Sequence, residues 1–368
     1  MYERWAPHHY PECYINYWLW AIVPVLLVII GTSGNILNKI ILTRKQIKKY
    51  STSVYLRFLD GTDIVFLWTG PFTEFIMETT GIRTEEASDF NCKTQRWIIY
   101  STGGYSVWLL VALTLERLFM TRSPILARTK TSTKQATITS VVLLVLCLIF
   151  SSHYLFGRHL VLRKYYDNET KLFREEYRCE NSSPEFSLFY KDLWNLLILV
   201  VLNVIPVLII IIGNIHIIIA LIIQKRQLFR RVNPTLQNAS IPMSRRKSST
   251  KMLFVITGFF MVTTLPFTMI EVFHSYDGNT DPRYKARIEA LKSVLALLLY
   301  SNFTFNFFLY FVSGTMFKQE WKKLLISCNN WFGNLRNNTI HVIEMTANQN
   351  SNREQAKPDT AYTASELV

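Results

Sequence analysis

Acidic side chains interrupt several apolar stretches of this sequence. Five of them lie at such positions: Asp60, Asp63, Glu74, Glu116 and Glu271. If these stretches cross a membrane, each carboxylate costs at least ~2.5–3.5 kcal/mol to place at the centre of the bilayer. Each must then face other protein groups, pair with a base or hold a proton, so these residues are the first candidates for function.

Asp63 is the most deeply placed of the five. On helical geometry it meets three polar residues from later stretches, namely Ser106, Asn302 and Asn306. An oxygen-rich cluster around one carboxylate suits a small hard cation, here a sodium ion, or a network of water molecules. A network of internal hydrogen bonds without an ion explains the same residues equally well. No other cofactor or metal is expected.

Glu116 and Arg117 are neighbours at one end of the third apolar stretch. An adjacent acid and base can pair in one state and release the arginine to another partner in a second state, which is the form of a switch. A simpler interpretation is that both side chains reach for the membrane surface and anchor the helix end. Chemistry alone favours the simpler interpretation.

Membrane-spanning helices must position these residues. Of the 368 residues, only 18% are charged, whereas a soluble domain usually has about 25%. Windows of ~20 apolar residues predict seven spans, at about 18–42, 54–77, 97–121, 136–156, 193–223, 252–273 and 293–313. The predicted fold class is an all-α membrane protein with a seven-helix transmembrane bundle. This excludes a soluble enzyme, a disordered chain and a small disulfide scaffold.

Basic residues are divided unevenly between the predicted loops. The loops after the first, third and fifth spans carry 16 Lys and Arg and no acid, whereas the opposite side carries 15 basic and 16 acidic residues. Because Lys and Arg favour the cytoplasmic side, we expect residues 1–17 to be extracellular and the chain after 313 to be inside. The net charge of +14 then reflects topology, and no nucleic-acid partner is expected.

Cysteines and glycosylation sequons agree with this topology. Cys92 lies at the outer mouth of the third span and Cys179 in the long outer loop, where oxidising conditions favour a disulfide. Asn168 and Asn181 begin N-x-S/T sequons in the same loop and are predicted glycosylation sites. Cys13 is expected outside without an obvious partner.

The chain after the seventh span divides into two parts. Residues 314–328 are predicted to form an amphipathic helix on the inner lipid surface, because Phe317, Trp321 and Cys328 recur at helical spacing. Cys328 is a predicted palmitoylation site, although an unmodified thiol is nearly as well supported. Residues 329–368 are rich in Asn, Ser and Thr and are expected to form a disordered cytoplasmic tail.

From about Gly34 to Cys328 the pattern resembles the rhodopsin-like family of G-protein-coupled receptors. Landmarks similar to those of the family occur in order: Gly34-Asn35, Leu59 with Asp63, Cys92, Glu116-Arg117, Pro206, Phe260 with Pro266, Asn306-Phe307-Phe308-Leu309-Tyr310 and Phe317-Lys318. The resemblance implies a plasma-membrane receptor that is not an enzyme. It also implies an extracellular ligand, a heterotrimeric G protein, and receptor kinases and arrestin as further partners.

Several positions depart from the family pattern. Phe307 stands where the family usually has proline, Thr264 where it has tryptophan, and Asn214 and Leu118 where it has tyrosine. These changes leave the fold intact but alter the usual switch. The resemblance implies that the G-protein-coupling switch is formed by Glu116, Arg117, Asn306, Tyr310 and Arg246.

The outer ends of the helices restrict the ligand. Ile99 lies where amine receptors of this family have an aspartate, so an amine ligand is not expected. Opsins hold retinal on a lysine of the seventh span, and no lysine occurs between Ser293 and Ser313, so retinal is not expected either. The ligand-binding candidates line the predicted outer mouth: Glu74, Gln95, Ile99, Tyr100, Glu271, His274, Lys292 and Tyr300. Acids with aromatic walls suit a cationic ligand, and a short amidated neuropeptide containing arginine fits that chemistry.

Other interpretations of the same residues stay open. The acids at the mouth could only balance nearby Arg and Lys of the outer loops. The same fold could serve a chemosensory or orphan receptor for a small organic ligand. Less favoured is an ion- or proton-translocating protein that uses Asp63. Neither H-E-x-x-H nor G-x-S-x-G occurs, so no enzymatic nucleophile or metal set stands out.

We expect high ligand-free activity, because Arg246 occupies a position where many relatives have an acid and would repel Arg117 instead of holding it. Arg246→Glu should lower ligand-free nucleotide exchange on a G protein several-fold, and Arg245→Glu, which changes the charge equally, is the control. Equal ligand-free activity of Arg246→Glu and the parent would contradict this prediction.

Overall fold

The computed structural model describes residues 10–123, 131–167, 172–231, 240–275, 278, 280–331 and 339. Its first half consists of five helices: α1 (Pro11–Leu42), α2 (Ser51–Thr69), α3 (Pro71–Thr80), α4 (Asp89–Arg122) and α5 (Thr133–Phe150). A short 3₁₀ turn, Thr84–Glu86, precedes α4, where Ser88 accepts a hydrogen bond from the Asn91 N–H and caps the helix.

A β-hairpin follows α5, where the sequence predicts a long outer loop. A short helix, Tyr154–Gly157, leads into β1 (Arg158–Asp167), which pairs antiparallel with β2 (Leu172–Asn181). The register runs from Arg158 opposite Asn181 to Asp167 opposite Leu172. The first of these ten-residue strands packs against α4.

The fifth predicted span is longer than expected. The α-helical segments Pro184–Leu188, Asn195–Leu197 and Ile205–Arg231 alternate with π-helical segments Phe189–Trp194 and Ile198–Val204, and we call the whole α6. The predicted limits of 193–223 mark its most apolar part. The helix itself begins earlier, at Pro184, where Ser183 caps the first turn.

The remaining helices are α7 (Ser240–Ser275), α8 (Pro282–Thr304) and α9 (Asn306–Ser313), and residues 315–331 are also helical. The axes of α8 and α9 differ by 57°. Proline is a common cause of such bends, but residue 307 is phenylalanine, so this bend has another cause. Side chains on both sides of the break bond to other helices: Thr304 to the carbonyl of Leu27 and Asn306 to Asp63. These bonds hold the bend at Phe305.

The seven predicted spans correspond to these helices, with two corrections. Within the part of the chain that the structure describes, five helices are each long and apolar enough to cross a membrane, and α8 with α9 makes a sixth. The second predicted span, 54–77, is not one helix: it breaks at Gly70 into α2 and α3. Pro71 follows the break, and proline is well tolerated in the first turn of a helix but not in its interior.

Contacts between neighbouring helices connect α1 to α9 into one set. α1 packs on α2 and α8, α2 on α4, and α7 on α8 and α9, while α4 also contacts α5 and α6. At Gly31 of α1 an added Cβ would lie 2.4 Å from Leu67 Cδ1 and 3.1 Å from the Thr304 Cα. Glycine therefore allows α1 to approach α2 and α8 closely.

The chain divides after Phe317 into two units. The predicted boundaries at residues 313 and 328 stay predictions, as does the membrane-surface position of the helix at 315–331. Most of the predicted tail, 332–338 and 340–368, lies outside the described residues.

Candidate functional site

The buried carboxylate of Asp63 joins three helices. Ser106 Oγ of α4 donates to Asp63 Oδ1 (2.8 Å), and Asn306 Nδ2 of α9 donates to Oδ2 (2.5 Å). Asn302, predicted in the same cluster, is buried, but among the described residues no hydrogen bond joins it to Asp63. Both carboxylate oxygens thus have protein partners, and the group is compatible with a satisfied network as well as with an ion.

A second acid, Asp60, is fully buried one turn away on α2. Asn38 of α1 donates its Nδ2 to Asp60 Oδ1 (3.0 Å). The sequence marks Asp60 as an acid that is costly to bury but indicates no partner for it. The three-residue spacing from Asp63 could have signalled that both face the bundle interior.

The acid and base at the end of α4 each bond to the start of α2. Ser51 Oγ donates to Glu116 Oε1 (2.5 Å), and Arg117 Nη2 donates to Thr52 Oγ1. We call this end of the bundle the arginine end. Two consecutive residues of α4 therefore hold two consecutive residues of α2, an arrangement that no pattern in the sequence indicated.

Tyr310, also predicted as part of the switch, is fully buried in α9. Its ring lies edge-on to Phe317, with centroids 5.9 Å apart, and its hydroxyl has no hydrogen-bond partner among the described residues. Arg246 lies on α7, in the part of that helix where only the backbone is described. Its predicted repulsion with Arg117 stays a prediction.

The predicted disulfide is confirmed. Cys92 at the start of α4 is bonded to Cys179 of β2, with Cα atoms 5.5 Å apart. We call this end of the bundle the disulfide end. The bond ties the hairpin to the helix that carries Ser106, Glu116 and Arg117.

Aromatic ligand candidates at the disulfide end belong to packed clusters. Tyr100 stacks on Tyr154 with ring centroids 5.1 Å apart, and its hydroxyl lies 3.5 Å from that of Tyr190. Trp194 Nε1 donates to the Tyr154 hydroxyl (2.8 Å). Ile99 and Tyr300 pack against a different cluster, formed by Val28, Phe66, Leu67 and Phe303.

The charged ligand candidates mostly have partners in the protein. Lys292 Nζ lies 2.8 Å from Glu271 Oε1, which favours the interpretation that this acid balances a nearby base. His274 Nε2 lies 3.9 Å from Glu289 Oε1. The remaining two candidates, Gln95 and Glu74, are half-buried, and Gln95 accepts a hydrogen bond from Thr84 Oγ1 (2.9 Å).

An ion-pair network that the sequence does not predict surrounds the turn before α4. Glu85 Oε2 lies 3.2 Å from Arg96 Nε and 3.7 Å from Arg158 Nη2. Glu86 Oε1 lies 3.6 Å from Arg83 Nη1 and 3.5 Å from an amino group of Arg178. The network connects the turn, α4 and both strands of the hairpin. Most members of the network are far apart in sequence. The adjacent acids Glu85 and Glu86 were therefore the one feature of the sequence that could have indicated it.

The two glutamates respond differently to this environment. Burial alone would raise the pKa of Glu85, but the guanidinium groups of Arg96 and Arg158 outweigh it and hold that pKa below the ordinary value of 4.5. For Glu86 burial is the stronger effect, and it raises the pKa in spite of Arg83 and Arg178. Glu85 is therefore the acid whose charge stabilises the network.

Residues 34–310 match the family model of the 7 transmembrane receptor (rhodopsin family), and they contain the Asp63 cluster, the Glu116–Arg117 pair and the disulfide. The chain belongs to the rhodopsin family of seven-transmembrane receptors. It is a multi-pass membrane receptor and not an enzyme, and the predicted seven-helix fold is confirmed. Family membership implies an extracellular ligand and a G-protein partner.

The chain is similar to several known receptors of different ligand types. It is 25% identical to galanin receptor 2a of Danio rerio over 87% of this chain and 80% of that receptor. It is 24% identical to C-C chemokine receptor type 1 of Homo sapiens, over 81% and 77% of the two chains. Cysteinyl leukotriene receptor 1 of Sus scrofa is 22% identical over 80% of each.

One departure from the family pattern, Asn214, has a structural role in this receptor. Asn214 of α6 donates its Nδ2 to Thr257 Oγ1 of α7 (2.9 Å). Eleven residues away on each helix, Thr268 Oγ1 donates to Asn203 Oδ1 (3.0 Å). These side chains form two hydrogen bonds between α6 and α7, so a movement of α7 away from α6 must break the bond at Asn214.

The predicted modification sites remain predictions. Asn181 ends β2 and donates its Nδ2 to Ser187 Oγ (3.1 Å), whereas Asn168 lies outside the described residues. Cys328 is exposed, and Cys13 is half-buried in α1 outside any disulfide of the described residues.

Loss of the Glu85 charge should destabilise the receptor in a pH-dependent way. Because the pKa of Glu85 is lowered in the folded state, its stabilisation is present above pH 4.5 and is lost as pH falls through the lowered value. We expect Glu85→Gln to lower the Tm by about 3 °C at pH 7, and the difference from the parent to shrink below pH 4.5.

Thermal unfolding of purified protein across this pH range measures the effect. Glu175→Gln is the matched control, because it removes an exposed pair with Lys164 that should contribute little. If Glu85→Gln does not lower the Tm at pH 7, or lowers it equally at low pH, the charge of Glu85 does not stabilise the network.

Proposed function

We propose that this receptor is activated by a short extracellular peptide and signals through a heterotrimeric G protein. The observation that carries the proposal is the charged cluster of the disulfide end, where Glu85 and Glu86 pair with four arginines and Arg96 interacts electrostatically with Tyr100 and Tyr190. Such a surface offers many directed polar contacts, which suit a peptide backbone and its side chains better than a purely apolar ligand.

The similarity to receptors named for galanin and for C-C chemokines supports a peptide ligand. The similarity to a receptor named for cysteinyl leukotriene supports the alternative of a small organic ligand. In the proposal the disulfide end faces outside the cell at the plasma membrane, since disulfides form in oxidising compartments. The arginine end then faces the G protein. Receptor kinases and arrestin would act on the cytoplasmic tail.

Cells that express the receptor, challenged with a library of amidated peptides while calcium and cyclic nucleotides are recorded, test this function. We expect at least one peptide to give a response that Arg117→Gln, expressed equally at the surface, abolishes. Responses to leukotriene-type lipids with none to peptides would favour the small-ligand alternative. Ligand-free currents in a bilayer would indicate ion translocation.

The finer proposal is that the peptide is cationic. An arginine of the ligand would pair with Glu74 and compete with Lys292 for Glu271, because guanidinium binds carboxylate through two parallel hydrogen bonds. We expect Glu74→Gln with Glu271→Gln to weaken the potency of the active peptide at least tenfold, since each lost charge-assisted bond costs ~1.5–3 kcal/mol. Glu289→Gln is the control, and unchanged potency of the double variant would remove the refinement.

We further propose that sodium binds at Asp63. Its partners Ser106 and Asn306 supply oxygen ligands beside the carboxylate if the amide turns, and Asn302 lies buried in the adjoining α8. Raising sodium from 0 to 150 mM, with N-methylglucamine holding ionic strength constant, should weaken agonist affinity several-fold in the parent and not in Asp63→Asn. An equal effect of sodium on both proteins would contradict the site.

A further inference from the structure

We propose that Asp60 and Asn38 form a proton-binding site, in which one proton held on Asp60 Oδ2 is donated to Asn38 Oδ1 and joins α2 to α1. The site lies three residues from Asp63 and uses different side chains. The inference therefore rests neither on the proposed peptide ligand nor on sodium at Asp63.

The two side chains lack one hydrogen atom for complete pairing. Both are fully buried, and Asn38 Nδ2 donates to Asp60 Oδ1 (3.0 Å). The second oxygen of each group, Asp60 Oδ2 and Asn38 Oδ1, has no donor among the described residues. A buried acceptor without a donor is costly, and here two such acceptors belong to groups that are already in contact.

One proton supplies what both oxygens lack. A protonated carboxyl offers one O–H donor and one carbonyl acceptor, and a primary amide offers an N–H donor and a carbonyl acceptor. Edge to edge, the two planar groups form two parallel hydrogen bonds. The bond from Asn38 Nδ2 is present in the structure, and the bond from Asp60 Oδ2 needs only the proton. An ionised carboxylate has acceptors alone, so it leaves Asn38 Oδ1 unpaired.

Other donors near Asp60 do not satisfy both oxygens. The Tyr310 hydroxyl is buried without a partner among the described residues and interacts electrostatically with Asp60. It has one hydrogen, so a bond to Asp60 Oδ2 would leave Asn38 Oδ1 without a donor. Lys39 is exposed, and its Nζ lies 3.9 Å from the position of a Cβ added to Gly61, which places it outside the buried pair. A water molecule between the two groups is the alternative to a proton, and it would leave Asp60 ionised.

The charges around the pair also favour a neutral Asp60. Asp63 on the same helix repels an ionised Asp60, whereas Lys39 on α1 attracts it. A proton on Asp60 removes the repulsion and leaves Asp63, which has two donors, as the ionised acid. Further titratable groups on helices packed against α2 lie at other levels of the bundle: Glu116 and Arg117 at Ser51 and Thr52, Lys134 in the first turn of α5, and Tyr300 against Phe66.

Infrared difference spectroscopy of the full-length receptor in an ester-free detergent tests the proposal. A protonated carboxyl has a C=O stretch that is separate from the bands of a carboxylate and that shifts in D2O. At pH 7 we expect the parent to show one such band that Asp60→Asn lacks. Asp63→Asn removes the neighbouring acid and is the matched control, which should keep the band. Identical spectra of the parent and Asp60→Asn in this region would overturn the proposal in favour of a bridging water.

A second variant tests the partner of the proton. Asn38→Leu removes the amide acceptor, so the carboxyl band should remain but move to the position of a more weakly bonded acid. A band that is unchanged in Asn38→Leu would show that the proton is not shared with Asn38.

Thermal unfolding gives an independent measurement. Asp60→Asn places an N–H where the parent needs a proton, so it can form both bonds at any pH. The unfolded parent loses this proton above about pH 4, so its folding takes up a proton and its stability falls as pH rises. We expect the folded-to-unfolded ratio of the parent to fall about tenfold per pH unit relative to Asp60→Asn between pH 5 and 7.

The Tm of Asp60→Asn should therefore be at least that of the parent at pH 7, with a difference that grows with pH. Asp60→Leu, which has no donor for Asn38, should have a lower Tm than Asp60→Asn at every pH. A difference between the parent and Asp60→Asn that does not change with pH would show that folding takes up no proton at Asp60.

Discussion

Carboxylates buried inside an apolar bundle must find hydrogen-bond partners, and this requirement organises the receptor. Asp63 is held by Ser106 and Asn306, and Asp60 by Asn38. These three bonds connect α2 with α1, α4 and α9. Removing one partner of a buried charge is more costly than the bond itself, because the charge stays unsolvated. The acids therefore fix the relative positions of four helices that apolar contacts alone would specify less strictly.

One helix, α4, takes part in polar contacts at three levels of the bundle. Along α4, Arg96 bonds to Glu85 near the disulfide end, Ser106 bonds to Asp63 in the middle, and Glu116 bonds to Ser51 at the arginine end. A shift of α4 changes all three contacts together. Such shared contacts are a physical means by which binding at one end can alter the other, provided that the ligand prefers one position of the helix.

The regular features of the fold were predictable because their causes are local. Apolar windows located the spans, and the acids within them indicated buried polar contacts, as Asp63 confirms with Ser106 and Asn306. The windows report only the hydrocarbon-like part of a helix, so they missed the start of α6 at Pro184. The hydropathy windows also missed the break at Gly70, which divides the second span, because one residue changes the mean hydropathy of a window very little.

The amino-acid sequence alone determined the class of protein, the number of spans, the disulfide pair and the family, since hydropathy, charge and ordered landmark residues encode them directly. Only the tertiary structure decided which other charged groups meet at the two ends of the bundle. It paired Glu271 with Lys292, joined Glu85 to Arg96 and Arg158, and bonded Glu116 to Ser51. These pairs depend on how helices rotate and pack against one another, and a one-residue change in helix phase turns a side chain by about 100°.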